Sequence, residues 1–308
     1  MLFPVTSSLF FPKKIYLCTR IAETAGPDFP AKRQAGCFPA RTFLFKIHIL
    51  FAMHASSSSP ASVEFSIVTV TFNCEDSIEK TMQSVFRQTY RSYEYLIIDG
   101  ASTDRTPDLI RRHAGKLAAF ISEKDQGIYD AMNKGARLAH GKWILFLNSG
   151  DVLADESVLE KVAKITTTTT SDIVYGDMLL RKNGHLTIRT ALEPANRHRM
   201  YFCHQSAFTR TAVMKAIPFD LRFKLAGDYC FFKQCYLSGY RFEHIPEPWA
   251  IYDVTGISTR NRLAVLTELI RIVKLWDKGT TKFVHLLRLY FVVGMLKLRG
   301  KSGHRKPS

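Results

Sequence analysis

Phe65–Phe72 reads FSIVTVTF, an apolar, β-branched run of the length expected for a strand buried on both faces. Asn73-Cys74-Glu75-Asp76 follows and supplies cap-forming side chains ahead of the helical spacing Ile78, Met82, Val85, Phe86. The same unit then repeats. Tyr93–Ile98 is a second strand, closed by Asp99-Gly100 and followed by Ser102-Thr103-Asp104 at the start of a helix through Leu109 and His113. Ala119–Ser122 is a short third strand, and Asp130–His140 is a helix closed by Gly141. Trp143–Leu147 is the most apolar strand, and Asn148-Ser149-Gly150-Asp151 follows it directly. Strand–helix alternation at this interval predicts an α/β fold with a Rossmann-type, largely parallel sheet flanked by helices. Ligands of such sheets bind beyond the carboxyl ends of the strands. The polar clusters at Asn73, Asp99 and Asp151 are therefore expected to converge on one rim.

Hydrophobic residues make up 46% and charged residues 23% of the 308 positions, a balance that supports a packed core and excludes disorder throughout. The net charge of +16 suggests a polyanionic partner until its distribution is read. Residues 1–62 hold 7 Lys/Arg against 2 Asp/Glu and residues 261–308 hold 11 against 2, leaving 25 against 23 between them. The central region needs no nucleic acid to explain its charge. Cys18, Cys37, Cys74, Cys203, Cys230 and Cys235 show no C-x-x-C pair or zinc-like spacing, which suits reduced thiols in a reducing compartment.

Residues 1–62 contain six prolines and no sustained periodicity, and are expected to form an extension outside the folded domain, with Met53 as an alternative start. The catalytic domain is expected over 63–260. Residues 261–308 read as basic amphipathic helices and a tail: Leu263, Leu266, Leu269, Ile270 and Val273 recur at helical spacing, and Phe283–Leu298 is apolar but carries His285, Arg288 and Lys297. Such a segment either lies in a membrane interface or packs on the domain. Ile165–Ser171, with its run of threonines, is expected to be a loop, and Ile173–Leu180 with His185–Thr190 a hairpin around Asn183-Gly184.

The ordered blocks SIVTVTFN, LIIDGASTDRT and SEKDQGIYDAMNKGARLAHGKWILFLNSGD, with the later AGDYCFFKQCYLSGY, resemble glycosyltransferase family 2 over about residues 64–260. The resemblance implies a GT-A fold and inverting transfer from a nucleotide-sugar, a UDP-sugar in the first instance, to an acceptor hydroxyl in cell-surface polysaccharide or glycolipid synthesis. It implies Mn²⁺ or Mg²⁺ at Asp151, a Lewis acid that offsets charge growing on the leaving diphosphate. It further implies donor contacts from Thr71, Asn73, Asp99, Asp125, Asn148 and Arg260, and an acceptor side at His204 and Gln205. Lys134 or Arg137 could reach a phosphate. Asp228, early in a helix marked by Tyr229, Phe232 and Tyr236, is the expected base, because inverting transfer needs a group to take the acceptor proton.

The chain departs from the family pattern where acids are paired: Asp99-Gly100, Asn148-Ser149-Gly150-Asp151 and Gly227-Asp228 each keep one carboxylate. The alternative is therefore a catalytically weakened, membrane-docked protein that binds nucleotide-sugars. A nucleotidyltransferase would carry a Gly-rich phosphate loop after the first strand, and TFNCEDS has no glycine. The expected setting is the cytoplasmic face of the membrane, with the protein cytoplasmic or peripheral.

Overall fold

The computed structural model describes residues 63–253 and 261–302. The N-terminal extension and Arg260, whose stretch 256–260 resembles a loop that closes over the donor, lie outside these residues. Among the described residues nine strands form one sheet in the order β3-β2-β1-β4-β8-β6-β9-β5, with β7 paired to β6. They are β1 (Phe65–Thr71), β2 (Tyr93–Asp99), β3 (Ala119–Ser122), β4 (Trp143–Phe146), β5 (Val152–Leu153), β6 (Ile173–Lys182), β7 (His185–Arg189), β8 (Ala207–Arg210) and β9 (Phe242–Asp253). The first four run parallel, whereas β8 is antiparallel to both β4 and β6. The strand order reverses at β1, so the chain leaves β1 and β4 in opposite directions and opens a crevice between their carboxyl ends.

Both faces of the sheet are covered, as the unbroken apolar strands require. Phe65 and Ile67 of β1 pack with α1 (Ile78–Phe86), α2 (Thr106–Arg111) and α4 (Val158–Thr166), while Val68 and Val70 face α3 (Ile128–Leu138), α5 (Thr211–Ala216) and α6 (Gly227–Leu237). A third cluster joins α6 to α7 (Arg262–Trp276) and α8 (Gly279–Ser302).

Three local expectations change. The threonine run is partly helical: α4 continues to Thr166, and the Thr166 and Thr167 hydroxyls donate back to the Ala163 carbonyl. Helix α3 begins two residues earlier than the sequence suggests, because the Asp125 and Asp130 carboxylates accept the Gly127 and Gln126 N–H groups at its start. Gly141 serves close backbone approach, since a Cβ there would stand 2.5 Å from Ser66 N. The hairpin holds, with Asn183 and Gly184 both at positive φ, the conformation its tight turn demands.

Candidate functional site

Three loops meet at the carboxyl end of β1. Gly100 N–H donates to the Thr71 carbonyl at 2.9 Å, and Ser149 N–H donates to the Val70 carbonyl at 3.1 Å. The loops after β2 and β4 thus flank the end of β1. Asn73 turns the chain out of the strand with φ of 50°, a left-handed conformation that Asn tolerates better than most residues. Its Oδ1 accepts Thr103 N–H at 2.9 Å, and its own N–H donates to Ser102 Oγ at 2.7 Å.

Asp99 has no exposed surface. Its carboxylate accepts Ser102 N–H at 3.0 Å and the hydroxyls of Ser102 and Ser122. Asp99, expected as a donor contact, is therefore a buried organiser of the β2 loop. A carboxylate offers about four lone-pair sites, so one further donor could be met from below the surface. The Thr71 hydroxyl, also buried, finds no hydrogen-bond partner among the described residues. Beside them Phe72, which the sequence reading counts in the buried strand, lies just past its end and is 59% exposed. The apolar run gives no sign of this, because the exposure depends on where the chain leaves the sheet.

Asp125 accepts Gly127 N–H at 2.8 Å, and its Oδ2 lies only 2.7 Å from where a Cβ on Gly100 would stand. The missing second acid after Asp99 is explained by this: the space is filled by Asp125. Lys134, an expected phosphate contact, is instead engaged by Glu123 at 2.9 Å and the Lys124 carbonyl. Arg137 lines a separate cavity with Met214, Lys215 and Pro218.

Helix α6 delivers Asp228 from the other side. The segment ahead of it is fixed twice: Asn133 and the Phe219 backbone exchange two 2.9 Å hydrogen bonds, and Glu268 of α7 accepts the N–H groups of Lys224, Leu225 and Ala226 at 2.8–2.9 Å. Asp228 lies in the first turn rather than at the N-cap, with 20% of its side chain exposed. Its Oδ1 accepts the Tyr129 hydroxyl at 3.0 Å and Tyr229 N–H at 2.8 Å. Its Oδ2 lies 3.1 Å from His204 Nδ1. A carboxylate only accepts, so Nδ1 carries the proton; in the neutral ring Nε2 then accepts Asn148 Nδ2 at 3.0 Å. That arrangement leaves the buried Asn148 Oδ1 without a partner among the described residues. Burial pushes the Asp228 carboxyl upward. The His204 hydrogen bond and charge, with Tyr229 N–H and the Tyr129 hydroxyl, outweigh it and hold the group below the ordinary carboxylate range.

Gly227 has a steric role here. A Cβ on it would meet the Tyr129 ring at 2.7 Å, so the acid that the family places before Asp228 is displaced by the tyrosine that holds Asp228.

Asp151 is buried, and its Oδ2 accepts Gln205 Nε2 at 3.0 Å. The loop itself is pinned by Thr81, whose hydroxyl donates to the Asp151 carbonyl and accepts Gly150 N–H. His204 and Gln205 are adjacent, so one short 3-10 turn touches both Asp228 and Asp151. Among the described residues no group of three or more His, Cys, Asp or Glu side chains is placed to hold an ion. The oxygens that suit a hard cation are the Asp151 carboxylate and the unpartnered Asn148 Oδ1.

A parallel sheet with a polar rim at its switch point defines an α/β domain of the kind that binds nucleotides there. The family model for Glycosyl transferase family 2 matches residues 66–245, and the chain belongs to that family as a glycosyltransferase. A PGL/p-HBAD biosynthesis glycosyltransferase of Mycobacterium tuberculosis is 34% identical over 186 residues, covering 57% of this chain and 71% of that protein. The amylovoran biosynthesis glycosyltransferase AmsB of Erwinia amylovora is 24% identical over 261 residues, covering 78% and 87%. Among solved structures, S. aureus TarS 1–349 in complex with UDP-GlcNAc superposes with a TM-score of 0.60 at 20% identity, over 74% of this chain and 71% of that one. The mannosyltransferase PcManGT from Pyrobaculum calidifontis, in complex with GDP-Man and Mn²⁺, gives 0.56 at 18% identity, over 74% and 68%. These structural likenesses establish the GT-A-type fold expected from the sequence.

Proposed function

We propose that this glycosyltransferase moves a sugar, with inversion, from a UDP-sugar to a hydroxyl of a growing polysaccharide or glycolipid. The observation that carries the reading is the His204-Gln205 turn, which brings Asp228 and Asp151 from distant parts of the chain to one rim. Asp228 is the base: as the acceptor oxygen forms its bond to the anomeric carbon, the bond from that carbon to the diphosphate breaks and the acceptor proton passes to the carboxylate. His204 and Tyr129 hold that carboxylate ionised and oriented.

The exposed Phe72 ring offers a face on which the base stacks. The Thr71 hydroxyl is assigned to the donor on the same side, with Asp99, Asn73 and Asp125 fixing the loops around it through their hydrogen bonds. Arg260 is assigned to the diphosphate by resemblance alone. A Mn²⁺ or Mg²⁺ ion held by Asp151 and Asn148 would supply Lewis-acid stabilisation of the diphosphate, with phosphate oxygens and water completing its ligands. Support for the donor class comes from the UDP-GlcNAc and GDP-Man complexes of the structural neighbours, and for the acceptor class from the PGL/p-HBAD and amylovoran biosynthesis named for the relatives.

The single carboxylate in the Asn148–Asp151 loop favours a second reading, a donor-binding protein with little turnover. Donor hydrolysis by the purified chain, over a panel of nucleotide-sugars with and without Mn²⁺, separates the two. Metal-dependent donor binding with hydrolysis supports the enzyme. Binding without turnover, even with acceptor present, overturns it. The cytoplasmic, membrane-peripheral setting is proposed with the same reading.

A further inference from the structure

Helix α8 is apolar on two opposite faces. One is internal: His285 and Leu289 are buried, and Leu286, Val292, Val293 and Leu296 pack into the cluster shared with α6 and α7. The other is open to solvent. Phe283, Leu287, Tyr290, Phe291 and Leu298 are 49–69% exposed. At 3.6 residues per turn they fall within a sector of about 100° on the side opposite Leu289. Arg288 borders that sector on one side and Lys297 on the other, both exposed. From Lys278 onward the sequence has eight Lys/Arg and no Asp or Glu.

We propose that this face of α8, bordered by Arg288 and Lys297, docks into the interface of an anionic lipid bilayer with the helix lying in the membrane plane. The charge pattern selects the occupant. A second copy of the chain laid on the same stripe would bring cation against cation with no acid to answer it, which like-charge repulsion opposes. Anionic headgroups meet Arg288 and Lys297 directly, and their long stems let the charged heads reach the polar layer while Phe283, Leu287 and Phe291 enter the acyl boundary. No helix among the described residues is long and apolar enough to cross a membrane, so the stripe suits a helix that lies on the surface.

The docking face is tied firmly to the chemistry. Asp277, between α7 and α8, is fully buried and forms an ion pair with Lys233 of α6 at 2.6 Å, while His285 Nδ1 contacts its other oxygen at 2.6 Å. Asp277 thus joins α8 to the helix that carries Asp228. A docked α8 fixes that helix relative to the lipid surface, which deepens the glycolipid reading above and rests on it for its biological meaning.

The test sediments the full-length protein with vesicles of phosphatidylcholine alone and of phosphatidylcholine mixed with phosphatidylglycerol. The expected result is binding to the anionic vesicles, at least tenfold weaker to the neutral ones, and weakening as salt is raised. Phe283→Ser/Phe291→Ser should lose tenfold or more of the binding with an unchanged thermal melt, because both rings are already exposed. Arg288→Glu/Lys297→Glu should remove the anionic preference. No sedimentation of the wild type with anionic vesicles, or undiminished binding of the serine variant, overturns the proposal. A concentration-dependent dimer in sedimentation velocity that the serine variant abolishes, without vesicle binding, assigns the face to a second copy and equally overturns it. Donor hydrolysis measured without lipid reads the enzymatic assignment separately, so either can fail while the other stands.

Discussion

His204 Nδ1 lies 3.1 Å from Asp228 Oδ2, with the Asn148 amide on the far side of the ring, so the imidazole bridges the β4 loop and the first turn of α6. The bridge has a pH signature. Burial alone would raise the Asp228 pKa, and His204 leads the groups that turn the shift downward. With the folded value depressed, the ionised carboxylate contributes stability above the ordinary carboxylate range and loses it as pH falls through the folded value. The acid limb of kcat/KM should therefore lie below the usual carboxylate range in the wild type. In His204→Ala it should move toward neutrality, because burial then acts with less opposition. A pH–rate profile of the two proteins checks this, and an unmoved limb would disconnect His204 from Asp228.

Asp228→Asn keeps the shape of the side chain and removes its capacity to take a proton. Transfer should fall by about 10²–10⁴-fold, the usual weight of a positioned general base. Donor affinity by calorimetry should stay within a few-fold of wild type, since Asp228 meets the acceptor side. Near wild-type turnover in this variant would sink the base assignment.

Gly227→Ala tests why the paired acid is absent. The new methyl would meet the Tyr129 ring at 2.7 Å, and that ring, also buried against Phe219, must move. Its hydroxyl then loses register with Asp228 Oδ1. A fall in kcat of about tenfold is expected for the loss of one charge-assisted hydrogen bond, about 1.5 kcal/mol. Adding Tyr129→Phe to Gly227→Ala should cost little more, because both remove the same contact. Fully additive losses would show that the glycine acts by another route.

Much of this was legible in the sequence, and the limits have physical causes. The first four strands announced themselves because a strand buried on both faces must be apolar throughout. The sequence puts Asp99 at the end of β2, Asp151 in the loop after β4 and Asp228 early in a helix, but their burial is not readable in it, since it depends on Ser122, Gln205 and His204 from other elements. The Asp151–Gln205 contact spans 54 residues and leaves no periodic trace. Strand β9 was hidden by Pro246 and Pro248, which the sheet accommodates through register shifts opposite Gly176 and Asp177. Both glycines that replace family acids looked like losses, yet Asp125 and Tyr129, from one short segment, fill the vacated space.

Glu268 was the least foreseeable residue of all, an acid on an amphipathic helix that the sequence places beyond the catalytic region. Its carboxylate accepts three backbone N–H groups at 224–226, immediately ahead of α6, where an anion also complements the helix dipole. Glu268→Gln turns one accepting oxygen into a donor facing an N–H, so at least one of the three backbone groups loses its partner. Unfolding by urea should show a loss of about 1.5–3 kcal/mol, the range for a hydrogen bond to a charged group. If Glu268 only supported the fold, kcat measured well below the melting temperature would stay at the wild-type value. Because the grip ends two residues before Asp228, kcat should instead fall several-fold while donor affinity holds, and Glu268→Asp should restore neither, its carboxylate falling one methylene short of the three amides. A variant that loses stability but keeps full kcat would show that α7 braces the helix without setting the position of its carboxylate.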